Sequence, residues 1–366
     1  MSQDAVYARR AKKLRRGLED QGLRGVMVVP GPNMRYFTGV NSLMLERPFI
    51  LMVPVEGEPH LVAPALEAGP YHGCPLPMSI HSWTDSEGSA GAVAEAVQGV
   101  EMEGRWGVEG KVPFQFLDRV LKRASPKLTD AEPVLQGLRE VKDDAEIGLL
   151  EKSAKILSRS FREFPGLIRE GMTELDLAKA ATDAIYANGA TKVDDMLVQS
   201  GPRAADPHGL PTSRKIVRGE GIIIDVGSVY EGYYADITRT FCLGSAPDVE
   251  RVYERVLQAE TTGIDSAAVG VPVGGVDGAA RGVLRKAGMG RYFIHRTGHG
   301  LGLEVHEAPY IVEGGKEKLR PSMCFTVEPG VYIRGKLGVR IEDDVLMGRR
   351  RGRALTDTPK DFGWWK

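Results

Sequence analysis

The sequence predicts two domains of different class, a small α/β unit over residues 1–135 and a larger α+β domain over residues 136–366. Three observations carry this. Over the first ~130 residues, short apolar runs alternate with segments of helical period, the pattern of an α/β unit. A charged, helix-favouring segment beginning near Val141 has no place in that alternation and reads as a linker. Beyond it helices and strands gather into separate runs, which marks an α+β domain with a largely antiparallel sheet. A chain of 366 residues has room for two or three domains at about 100–200 residues each.

The elements follow in order. Tyr7, Ala11, Leu14 and Leu18 recur at helical spacing, and Gly22 supplies a stop. The apolar run 26–29 reads as a strand followed by a Pro/Gly turn, and 49–53, 60–63 and 106–108 read as further strands. A helix is expected over about 113–122. In the second domain the linker helix starts near Val141, and another helix starts at Thr173, with Asp176 in the capping-box position usually held by Glu. The run 221–227 is a central strand, helices span about 249–268 and 276–287, and two glycine-rich strand pairs complete the chain.

Bulk composition excludes several classes. Lys and Arg number 48 against 49 Asp and Glu, a formal net charge of -1, which gives no long-range attraction to nucleic acid or anionic lipid. The basic run Arg349-Arg350-Arg351-Gly352-Arg353 reads as a solvated hairpin turn. Cys74, Cys242 and Cys324 form no CxxC pair and imply no disulfide framework. The N-terminal segment lacks the apolar stretch of a signal peptide, and no run approaches about 18 consecutive apolar residues. The expectation is a cytoplasmic protein with neither nucleic-acid nor membrane partners. Phe362, Trp364 and Trp365 form either a packing tail or a subunit contact.

Four acidic residues stand where strands predict apolar side chains. Asp225 closes a run of three isoleucines, and Asp236 lies in the alternating segment 233–238, reached through the turn Glu231-Gly232. A hairpin would set both carboxylates on one side. Downstream, Glu328 ends the apolar run 323–327, and Glu342 follows a second strand reached through the turn Arg334-Gly335-Lys336-Leu337. A single acid in a strand is readily explained by an edge position or an ion pair with a nearby arginine. Two hairpins each carrying a pair are harder to explain so, because unpaired carboxylates side by side in an apolar sheet raise each other's pKa or demand a cation. His299, in Thr297-Gly298-His299-Gly300, adds an imidazole whose flanking glycines remove bulk and allow a close approach. A phosphate-binding glycine loop is the competing view, and it lacks both the GxGxxG spacing and the strand–loop–helix context. Four carboxylates and one imidazole suit two Mn²⁺, Co²⁺, Fe²⁺ or Zn²⁺ ions better than a thiolate zinc site would. Cys242 and Cys324 share strand parity with ligand acids but are expected to be small buried hydrophobes.

In order and local context, Asp225, Asp236, His299, Glu328 and Glu342 resemble the five ligands of the pita-bread metallopeptidases (family M24), which include methionine aminopeptidase, aminopeptidase P and prolidase. The stretches IIIDVGSVYEGYYADITRTF, HRTGHGLGLEVHEAP, FTVEPGVYI and GVRIEDDVL resemble the proline-specific branch. The resemblance is strong over about residues 140–348. It is looser over the first 130, where YFTG and the strand order are similar to a creatinase-like N-terminal domain.

This resemblance implies a pita-bread catalytic domain, two divalent cations with manganese foremost, and hydrolysis of the bond between an N-terminal residue and proline. It further implies that His208 and His295 lie near the leaving proline, that His306 hydrogen-bonds the scissile carbonyl region, that Arg340 buttresses the site, and that Glu328 is both ligand and proton shuttle. Read alone, His208 is equally a loop residue, His295 a core-edge residue, His306 an exposed strand residue, and Arg340 a counter-ion for Glu342 or Asp343. An Xaa-Pro dipeptidase is the first expectation, an aminopeptidase P acting on longer peptides the second, and a catalytically silent binding protein the third. Homodimers are expected by the same analogy.

Overall fold

The computed structural model describes residues 3–365, among which the chain forms ten α-helices and sixteen β-strands. They fall into two units, Met1–Arg139 and Glu140–Lys366. No helix among the described residues is long and apolar enough to cross a membrane.

The first unit contains α1 (Gln3–Asp20), β1 (Gly25–Val28), α2 (Pro32–Thr38), β2 (Ile50–Pro54), β3 (His60–Pro64), α3 (Ala65–Ala68), β4 (Ser79–Trp83), α4 (Ala90–Gly99), β5 (Arg105–Val108), α5 (Phe114–Leu121), β6 (Lys127–Asp130) and α6 (Glu132–Glu140). Its sheet has the order β4-β3-β2-β1-β5-β6 and is mixed: β1 runs antiparallel to β2 and parallel to β5. Leu14 and Leu18 are buried on α1, as their spacing requires. The turn expected after β1 is in fact α2, which starts with Pro32 in its first turn, where a missing N–H costs nothing. Seven residues are too few for a helical period to stand out in sequence. The sequence also leaves α3, β4, α4, β6 and α6 unseen, the last of them immediately before the expected linker helix.

The second unit contains α7 (Asp144–Glu163), α8 (Glu174–Ala187), β7 (Lys192–Ser200), β8 (Gly221–Tyr230), β9 (Tyr233–Cys242), α9 (Pro247–Ser266), α10 (Val273–Lys286), β10 (Gly298–Gly300), β11 (Glu307–Ile311), β12 (Cys324–Val327), β13 (Gly330–Ile333), β14 (Leu337–Arg340), β15 (Asp343–Met347) and β16 (Gly352–Ala354). The linker helix α7 begins three residues later than the sequence suggests because Asp143 caps it. The Asp143 carboxylate accepts from the N–H groups of Ala145 and Glu146, and Glu146 returns a bond to the Asp143 N–H. Thr173 and Asp176 form the expected box at the start of α8.

All strand pairings in this unit are antiparallel, in the orders β7-β8-β9, β11-β10-β12-β15-β16 and β13-β14. The two-residue turn Glu231-Gly232 has positive φ at both positions, the conformation that matches strand twist in a tight hairpin. Along β8 the period of two divides the side chains cleanly. Ile222, Ile224 and Val226 join the core formed by α7 and α8, while Asp225 and Gly227 face the other way. On β9, Ala235, Ile237 and Phe241 are core residues, and Asp236 points oppositely.

The C-terminal segment packs within this chain. Trp365 Nε1 donates to the Cys242 carbonyl at 3.1 Å, and Phe362, Trp364 and Trp365 stack around Phe241 and Tyr253. Arg349, Arg350 and Arg351 lie in the exposed turn between β15 and β16, while Gly352 and Arg353 already belong to β16.

Glycine matters most beside His299. A Cβ on Gly298 would overlap the Thr326 carbonyl, and one on Gly300 would overlap the Ala308 carbonyl. The close approach that the flanking glycines allow is that of the neighbouring strand backbones. Gly298→Ala should cost at least about 1–3 kcal/mol through forced backbone shifts, seen as a drop of several degrees in melting temperature. Gly278→Ala, on an exposed face of α10 with nothing near the added carbon, should instead stabilise by up to about 1 kcal/mol.

Candidate metal centre

The first carboxylate pair forms as its hairpin predicts. Asp225 lies opposite Thr238 and Gly227 opposite Asp236, so Asp225, Asp236 and Thr238 share one face of β8–β9. Gly227 leaves that face open beside Asp236. The second pair is built differently from the simple hairpin expected. β12 pairs with β15 and β13 with β14, and the register Val327↔Asp343 continues unchanged into Gly330↔Arg340. Glu328 and Glu342 face each other in the gap between these two ladders. Pro329, which has no N–H, helps to break the pairing there. Outside the ladder, Glu342 is held from β9: its N–H donates to the Thr238 carbonyl at 3.1 Å, and its Oε2 accepts from the Thr238 hydroxyl at 2.5 Å.

All nine residues singled out in sequence line one cavity of about 610 Å³: Asp225, Asp236, His299, Glu328, Glu342, His208, His295, His306 and Arg340. Donor atoms of Asp236, His299 and Glu342 lie within 4.8 Å of one another, close enough for a single ion. Glu328 joins them through His299, whose Nε2 is 3.3 Å from Glu328 Oε1 and 3.9 Å from Asp236 Oδ2. The Nδ1 side of His299 faces the Gly300 carbonyl at 3.1 Å, which fixes a proton on Nδ1 and leaves Nε2 as the atom for a metal. Asp225 is ion-paired with Arg340.

Electrostatics of the cluster are those of a site short of positive charge. Burial, then Asp225, Asp344 and Glu328, drive the Asp236 carboxyl well above its usual range. Burial and the neighbours Asp236, Glu328 and Asp225 do the same to Glu342. Asp236 Oδ1 and Glu342 Oε1 are buried without a hydrogen-bond partner. Such orphaned acceptors are costly unless something positive meets them, and hard oxygen donors with one imidazole fit a divalent cation. Glu328 behaves oppositely. Burial raises it, but the hydrogen bond and charge of His299, with His295 and Arg340, outweigh that and hold it at about 2.

The remaining groups form a frame. Tyr332, which the sequence did not single out, accepts from Arg340 Nη1 at 2.7 Å and lies 2.9 Å from His295 Nε2. Arg340 Nε also reaches Thr238 Oγ1 at 3.1 Å. The His306 ring stands edge-on to His299 at 4.1 Å, and partial burial with His299 and Arg296 nearby lowers it to about 4, so it is neutral near pH 7. His208 is exposed at the rim. Arg296, Leu197, Leu210 and Val305 also line the cavity. Leu197 is brought there by its pairing with Asp225 on the adjacent strand. Cys242 and Cys324 are buried away from the cavity lining, and all three cysteines are free.

Because Asp236 and Glu342 bind protons more tightly folded than unfolded, their linkage destabilises the metal-free protein as pH rises through their raised pKa values. The chelated protein should therefore melt at a higher temperature at pH 6 than at pH 8. Saturating Mn²⁺ should raise the pH 8 value most, as read by differential scanning calorimetry.

Comparison with known proteins gives the same picture from outside. Residues 148–349 match the model of metallopeptidase family M24, and residues 10–141 match the creatinase/prolidase N-terminal domain. The chain is 34% identical over 362 residues to a probable dipeptidase PepE of Mycobacterium tuberculosis, covering 98% of this chain and 96% of that one. It is 32% identical over 361 residues to an Xaa-Pro dipeptidase of Pyrococcus horikoshii, covering 98% and 99%. Among solved structures, a recombinant prolidase from Thermococcus sibiricus superposes with a TM-score of 0.92 at 38% identity, covering 97% and 98%.

Proposed function

Since the chain belongs to metallopeptidase family M24, we propose that it is an Xaa-Pro dipeptidase, cleaving the bond between an N-terminal residue and a C-terminal proline. The observation that carries this reading is the buried carboxylate cluster, in which Asp236 Oδ1 and Glu342 Oε1 have no protein partner. Asp225, Asp236, His299, Glu328 and Glu342 are the proposed ligands of two divalent cations, and the hard donor set favours Mn²⁺, with Co²⁺, Fe²⁺ or Zn²⁺ as substitutes. Such a pair, when bound, supplies an acidified water and polarises a carbonyl.

The chain's own groups do the rest. Glu328, ionised and beside His299, accepts the proton of the attacking water and passes it to the departing proline nitrogen. His306, neutral and at the cavity wall, donates an N–H to the oxygen of the scissile carbonyl as charge develops there. Arg340 and Tyr332 hold Asp225 and His295 in place. His208 and His295 flank the proline side, and Leu197, Leu210 and Val305 give the apolar surface that a ring without an N–H requires. Three free cysteines support a reducing, cytoplasmic setting.

Arg296 favours the dipeptidase over the aminopeptidase reading. Arg340 is engaged by Asp225, Tyr332 and Thr238, whereas Arg296 packs its guanidinium over the Tyr310 ring at 4.5 Å. No carboxylate among the described residues is ion-paired with Arg296, which leaves it for the carboxylate of a terminal proline. Assays of Mn²⁺-loaded protein on Leu-Pro, Leu-Pro-amide and Leu-Pro-Gly test this. Leu-Pro should be cleaved fastest, and Arg296→Met should raise its KM at least tenfold, since a charge-assisted hydrogen bond is worth about 1.5–3 kcal/mol. Faster cleavage of Leu-Pro-Gly would make the protein an Xaa-Pro aminopeptidase instead. Glu328→Gln should lower kcat by at least about 100-fold while the protein remains folded by circular dichroism, and dialysis against a chelator should abolish activity until Mn²⁺ is restored.

A further inference from the structure

Behind the cavity wall lies an ion pair that the reaction does not use directly. Lys142 and Glu307 are separated by 165 residues in sequence, yet their side chains meet with 0% and 3% exposure respectively. Burying two opposite charges rarely stabilises more than a packed apolar pair would, so stability is a poor reason for this contact. Its surroundings supply a better one.

Glu307 opens β11 and directly follows His306. The segment that carries His306 leaves β10 and returns through a turn in which the Gly302 N–H donates to the Glu304 carbonyl at 3.0 Å. The Gly302 carbonyl in turn accepts from the Tyr234 N–H at 2.8 Å. Gly302 itself is fitted against the ion pair: a Cβ there would overlap the Glu307 carboxylate and come within 3.1 Å of Lys142 Nζ. The pair thus grips both the start and the end of the turn bearing His306. Lys142 is anchored in its own right, since its N–H donates to the Ser322 carbonyl at 2.9 Å and Val141 bridges to Met323.

We propose that Lys142 and Glu307 are positioning residues which fix the His306 turn, so that the imidazole stays against His299 and aimed into the cavity. This rests on the peptidase reading above for the role of His306. Gly302 is part of the device, because only a residue without a side chain lets the turn close over the pair.

The informative variant is the double substitution Lys142→Met/Glu307→Leu, since removing one partner strands a buried charge whereas replacing both with apolar groups of similar size is tolerated. With a melting temperature near that of wild type, this variant should lose about 10- to 100-fold in kcat on Leu-Pro, with KM little changed, as a misplaced catalytic group does. In a His306→Ala background the same double substitution should change kcat by less than about twofold, because a group that acts through His306 has nothing left to act on. Wild-type kcat in the double variant, or a loss that adds in full to that of His306→Ala, would overturn the assignment.

A second readout does not depend on turnover. In Zn²⁺-loaded protein with ¹³C-labelled histidine, the His306 ring signal should shift and broaden in the double variant. An unchanged signal would overturn the positioning role, whereas a wild-type protein inactive on every Xaa-Pro peptide would overturn only the peptidase reading.

Discussion

Buried negative charge without protein neutralisation is the constraint on which the site is organised. Asp236 and Glu342 sit on adjacent segments with an orphaned oxygen each, and every neighbouring carboxylate pushes their proton affinity higher. A fold does not keep such a cluster for stability, since desolvation of a carboxylate costs several kcal/mol unless it is met by a partner. The partner proposed for it is a divalent cation, and the neighbouring groups hold the candidate ligands in place. Arg340 secures Asp225, Thr238 secures Glu342, and the Gly300 carbonyl sets the tautomer of His299.

Backbone geometry makes that cluster achievable. The tight turn at Glu231-Gly232 sets the register that puts Asp225 and Asp236 on one face. The break between the β12–β15 and β13–β14 ladders frees Glu328 and Glu342 from pairing while keeping them opposed. Gly298 and Gly300 let β10 lie close enough to its neighbours for His299 to reach the acids. On the far side, Arg239 donates to the carbonyl of Glu342 at 2.5 Å and to Asp343 Oδ1 at 2.8 Å, and Lys360 of the C-terminal segment reaches Asp343 at 2.8 Å. The tail therefore supports the ligand strand from behind.

How much was legible beforehand follows from the range of each signal. Period two and a two-residue turn are local, so Asp225 and Asp236 could be placed on one face from residues alone. His299 and the second acid pair stood out as polar groups in apolar surroundings, although the ladder break between Glu328 and Glu342 and the role of the flanking glycines could not be read, since both depend on strands distant in sequence. Tyr332, Lys142 and Glu307 left no trace for the same reason: a tyrosine in a strand or a lysine before a helix is unremarkable until its partner is known. In the first unit, α2, α3, α4 and α6 were missed because short helices carry too few turns to reveal a period. The roles of His208, His295, His306 and Arg340 came from family resemblance, and all four line the same cavity as the acids.

The central claim is that five side chains gather around a pair of cations, and anomalous diffraction from crystals soaked in Mn²⁺ tests it most directly. The account predicts two peaks about 3.5–4 Å apart inside the cavity, one touching His299, with Asp225, Asp236, Glu328 and Glu342 all within coordinating distance of one or both. A cavity without anomalous density, or a lone peak leaving Asp225 paired only with Arg340, would contradict it.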